Sequence, residues 1–78
     1  MAELEKDDII LKNQIAERIK YLRNRTGLTQ TEFANKHEIE RQILNRWEST
    51  TNKRGVTIYT IKKFCNMIGI SLKEFFDF

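Results

Sequence analysis

Arg41, Gln42, Asn45 and Arg46 stand at separations of one, three and one along the chain, the spacing that gathers side chains on a shared face of a helix. Two are guanidiniums and two are amides. A guanidinium matches the paired acceptors of a guanine edge, and an amide matches the donor and acceptor of adenine. Each good bidentate pair gives roughly 1–3 kcal/mol of discrimination in a major groove. That is the chemistry of recognition. Residues for covalent chemistry are scarce: the 78 residues hold one histidine and one cysteine, His37 and Cys65, in separate expected elements. His37 reads as a half-buried or capping side chain, and Cys65 as a buried, inert thiol. No paired carboxylates stand in a pocket-like context, Cys and His are too few for a zinc site, and so short a chain is poorly suited to enclose a substrate. Neither an enzyme nor a cofactor, metal or small-molecule substrate is expected.

The elements that would position the four recognition residues lie between Thr29 and Ser49, TQTEFANKHEIERQILNRWES. Thr29 with Glu32 three residues on is a capping box. It opens a second helix over roughly Gln30 to Lys36, with Phe33 and Ala34 inward. Ile39, Leu44 and Trp47 anchor a tight turn and a third helix, about Arg41 to Glu48. The four recognition side chains are left on its opposite, exposed face, while Trp47 belongs to the core. This pattern predicts a helix–turn–helix that reads DNA.

The flanking chain supplies the support. A first helix is expected to begin between Asp8 and Asn13, extending back toward Asp8 because Leu11, Ile15, Ile19 and Leu22 form an amphipathic stripe. Gly27 ends it, and Arg23 and Arg25 suit the negative end of its dipole. Ser49 to Val56 is a polar loop interrupted by Gly55, with Lys53 and Arg54 placed either to grip backbone phosphate or simply to be solvated. Thr57 caps a fourth helix with Ile58, Ile61, Phe64, Cys65 and Ile68 inward, stopped by Gly69. Ser71 with Glu74 is a second capping box and opens a short fifth helix. Leu72, Phe75, Phe76 and Phe78 exceed what one short terminal helix can bury, so some form either a dimer contact or a seam to a longer chain.

Length bounds the chain to one domain. With 40% hydrophobic and 32% charged residues it reads as globular, with no membrane span and no secretory signal in MAELEKDD. A cytoplasmic setting is expected, and the lone cysteine excludes an internal disulfide framework. Net charge is +3, unevenly spread: residues 1–8 carry −3 and residues 9–25 carry +4. An acidic leader over 1–12, which includes the extension of the first helix, therefore precedes a basic domain over 13–78, a balance that favours a polyanionic partner.

From about Ile15 to Phe76 the chain resembles the Xre/Cro-type helix–turn–helix regulators of the lambda-repressor-like fold. The resemblance rests on IAERIKYLRNRTGLTQTEFA, on the Ile39/Leu44/Trp47 spacing closed by Glu48, and on IGISLKEFF. It implies an all-α, five-helix domain. It also implies base contacts from Arg41, Gln42, Asn45 and Arg46, and phosphate contacts from Gln30 and the starts of helices 2 and 4, where Thr57 stands with Lys53 and Arg54 before it. Arg23 with Glu48 resembles a structural ion pair of the family. A homodimer on palindromic double-stranded DNA, acting as a repressor, would follow. The turn departs from the pattern: Glu38 replaces a usual glycine, Glu40 a usual Ser or Thr cap, and His37 an apolar residue. These departures predict a turn wound differently or a third helix displaced by a residue. They also leave open a second function on the same scaffold, an antitoxin-like or adaptor module that binds protein, which the terminal aromatics favour.

Overall fold

In the computed structural model, which describes residues 5–78, α1 spans Lys6–Arg25, α2 Gln30–Lys36, α3 Arg41–Trp47, α4 Ile58–Ile68 and α5 Leu72–Phe75. No strand occurs among the described residues, so the all-α, five-helix expectation holds. The first four residues of the acidic leader lie outside the described residues.

Side-chain caps account for the starts of α2, α4 and α5. Thr29 accepts from the Glu32 amide at 3.1 Å while the Glu32 carboxylate accepts from the Thr29 amide at 3.0 Å. That backbone bond holds the Glu32 carboxyl below its ordinary value. Ser71 and Glu74 repeat the arrangement at α5, and the Thr57 hydroxyl accepts from the Thr60 amide at α4. Gly27 and Gly69 end α1 and α4 at φ of 79° and 73°.

A second device recurs at four helix starts. Leu28, Ile39, Val56 and Ile70 each immediately precede an N-cap and lie half-buried on the core, and Phe33, Leu44, Ile61 and Phe75 each stand five residues further on inside it. This is the spacing of a hydrophobic staple, which sets the angle at which the chain enters a helix.

The core closes around Phe64. Its ring centroid lies 5.7 Å from Phe33, 6.5 Å from Trp47 and 6.2 Å from Phe75, the last two edge-on, a favourable aromatic geometry. Thus α2, α3, α4 and α5 all contribute rings to one cluster, and Ile19 and Leu22 of α1 complete it. Cys65 is fully buried beside them, and burial pushes its thiol above the ordinary value.

Three details differ from expectation. The first helix begins earlier than Asp8: Glu5 is the N-cap, and the Asp8 carboxylate accepts from its amide at 3.3 Å. Leu11 is 47% exposed, because a four-residue step overshoots the 3.6-residue turn and two such steps carry Leu11 off the face held by Ile19. Seven residues before Ile19 stands Lys12, and it faces inward instead. Ile58 is likewise 50% exposed; it lies in the first turn of α4, beyond the edge of the core, and Val56 packs in its place.

Candidate nucleic-acid interface

The turn between α2 and α3 has the backbone conformation that a glycine at position 38 would take. Glu38 takes the left-handed conformation at φ 56°, so α3 begins at Arg41 with Glu40 as N-cap. The displaced or rewound turn is therefore a corrected expectation. A β-carbon in that conformation costs roughly 1–2 kcal/mol, offset here by the staple of Ile39 and Leu44 and by the Ile39 amide donating to Ala34 at 3.0 Å. Glu40 caps α3 without any side-chain hydrogen bond. His37 is the C-cap of α2, its ring 4.4 Å from Phe33.

With that register, Arg41, Gln42, Asn45 and Arg46 are all exposed on α3, while Leu44 and Trp47 are buried behind them. Ile43 is partly exposed on the same helix. Two open clefts flank the exposed face. One brings Arg41 beside Gln30 and Thr31 at the start of α2. The other brings Arg46 beside Arg54, Thr57 and Thr60, where the loop enters α4. Lys53 is exposed on the loop but lines neither cleft. The surface around α3 thus gathers donors and cations along two open clefts, with Glu40 and Ile43 exposed among them.

Beneath it lies a buried charge pair. Arg23 of α1 is 6% exposed and Glu48, the C-cap of α3, 8%. The guanidinium meets the carboxylate through two N–H groups, Nε to Oε2 and Nη2 to Oε1, and its Nη1 donates to the Leu28 carbonyl at 2.8 Å. This bidentate arrangement fixes the end of α3 against α1. From the same carboxylate the bonding continues outward: Gln30 Nε2 donates to Glu48 Oε1 at 3.1 Å and to Asn45 Oδ1 at 3.3 Å.

Two contacts had no signal in the residues. Lys12 Nζ donates to the Thr50 and Asn52 carbonyls at 3.1 and 2.8 Å and to Asn13 Oδ1 at 2.9 Å. It thereby holds the loop that carries Lys53 and Arg54. Its stem lies where a β-carbon on Gly55 would come within 3.3 Å, a close approach that the lysine stem would have to yield to. Arg18 donates to the Phe75 and Glu74 carbonyls at the end of α5, and its guanidinium lies over the Tyr21 and Phe78 rings.

Five helices in this order, with a tight turn presenting α3 between two clefts, define a helix–turn–helix domain. The family model of the Cro/C1-type HTH DNA-binding domain matches residues 18–78, and the chain belongs to that family. No curated protein and no solved structure matches the chain. Membership carries DNA binding and a part in transcription regulation as the general function. Among the described residues no helix is long and apolar enough to cross a membrane.

Proposed function

We propose that the chain is a sequence-specific regulator of transcription, acting as a repressor, that places α3 in the major groove of double-stranded DNA. The observation that carries this reading is the exposure of Arg41, Gln42, Asn45 and Arg46 together on α3, flanked on both sides by further donors. Those four side chains read base edges. Arg54, Lys53 and Thr57 hold backbone phosphate on one side, and Gln30 at the first turn of α2 does so on the other, through its main-chain N–H. The functional form is a two-fold homodimer on a palindromic operator, with half-sites about one helical turn apart.

Selection of random duplex DNA by the purified protein, at two salt concentrations, tests this reading. The expected result is an enriched palindrome bound more weakly at the higher salt. No binding at either salt would sink it.

A second reading has one observation in its favour. Tyr21, Phe76 and Phe78 are exposed, and two of these rings lie against Arg18, an aromatic surface apart from α3 suited to a protein partner. On that reading Arg41→Ala and Arg46→Ala would leave the function of the folded protein unchanged, whereas on the first they abolish DNA binding.

A further inference from the structure

The chain of hydrogen bonds that rises from the buried ion pair ends on a base-reading residue, and its polarity is determined link by link. The Arg23 guanidinium can only donate, and the Glu48 carboxylate it engages can only accept. The Gln30 atom that faces Glu48 Oε1 at 3.1 Å is therefore the NH2 group. The same Nε2 lies 3.3 Å from the side chain of Asn45, and having only hydrogens to offer it selects the Asn45 oxygen as its partner. An amide whose oxygen is turned back toward α2 leads outward with its two N–H hydrogens.

We propose that Gln30 is a positioning residue for base recognition: it orients Asn45 as a donor, so that Asn45 reads guanine rather than adenine. Guanine presents two adjacent acceptors, N7 and O6, in the major groove, whereas adenine pairs its N7 acceptor with the N6 donor and needs an outward-facing oxygen. Gln30 holds that oxygen. Both Nε2 hydrogens of Gln30 are also engaged, one by Glu48 and one by Asn45, which leaves its side chain no donor for a phosphate. The inference rests on the DNA-reading function proposed above and reverses the simple pairing of asparagine with adenine.

The experiment starts from DNA selected by the wild-type protein. The base pair facing Asn45 is identified as the position whose selectivity Asn45→Ala removes. At that position the wild type is expected to favour guanine over adenine by about tenfold. Gln30→Met, of similar size but without an N–H, is expected to reduce that preference to about twofold while selectivity at the other positions persists; a merely structural role would weaken all positions alike. Guanine preference unchanged in Gln30→Met, or adenine preferred by the wild type, would overturn the inference and leave the regulator reading standing. No enriched sequence at all would overturn both. A measurement without DNA tests the orientation separately: the Gln30 side-chain amide protons should exchange more slowly with water in the NMR spectrum than those of exposed Gln14. Equal exchange rates would overturn it.

Discussion

Arg23 and Glu48 are charged groups with almost no contact with water, and such a pair is sensitive to loss of either partner. Glu48→Ala leaves a buried guanidinium facing a cavity and should lower stability by about 3–5 kcal/mol, measured by urea unfolding. Arg23→Met combined with Glu48→Leu should recover most of that loss, since isosteric apolar replacement removes both desolvation costs. His37 makes a different prediction. Burial, reinforced by the charge of Lys36, holds its imidazolium below the ordinary value of 6.5. The folded protein therefore binds fewer protons than the unfolded chain in that range. The associated stability is present above about pH 6.5 and is lost as pH falls through the folded value. Denaturant titrations at about pH 7.5 and about pH 5.5 should show the wild type losing stability relative to His37→Leu at the lower pH. Equal losses in both proteins would contradict that origin. The exposure of the α3 residues was legible in the sequence because a buried face at helical spacing leaves its complement outside. The hydrogen bonds of Gln30 were not, because they join residues 15 and 18 positions apart and leave no local pattern.

Among the elements, the turn from α2 to α3 combines strain with an unused cap. Glu38→Gly relieves the left-handed conformation but adds freedom to the unfolded chain, for a net gain of roughly 0.5–1 kcal/mol, observable as a higher thermal midpoint with DNA absent. A lower midpoint would mean that the Glu38 side chain contributes something its conformational cost conceals. The Thr29/Glu32 and Ser71/Glu74 boxes were readable from sequence because a cap is a local motif of four residues. The start of α1 was readable only approximately, since Glu5 with Asp8 lacks the Ser or Thr that marks the other boxes. Leu11 and Ile58 misled for different reasons. Leu11 stands eight residues before Ile19, which rotates it off the buried face, whereas Ile58 lies in the first turn of α4, past the edge of the core that periodicity does not mark.

For the whole molecule, the function proposed above assigns Arg54, in the cleft beside Arg46, to backbone phosphate. Arg54→Ala should weaken binding to every DNA sequence by a similar factor and flatten the slope of affinity against salt by about one ion. Loss of selectivity at a single base pair would instead make Arg54 a reader. The uneven spread of charge, −3 over residues 1–8 and +4 over residues 9–25, favoured a polyanionic partner, and the positions of Arg46, Arg54 and Thr57 around one cleft came from long-range folding that no spacing along the chain encodes.

The family match begins at residue 18, yet Lys12, six residues earlier, is bolted to the carbonyls of Thr50 and Asn52. A protein trimmed to the family boundary would keep α3 and lose the clasp on the loop beside it. On the function proposed above, Arg54 would then reach for phosphate from a slack tether, and affinity would fall with the side chains proposed to read bases still in place. The leading turns of α1 are in this sense the handle of the interface, though no residue in them need touch a nucleotide.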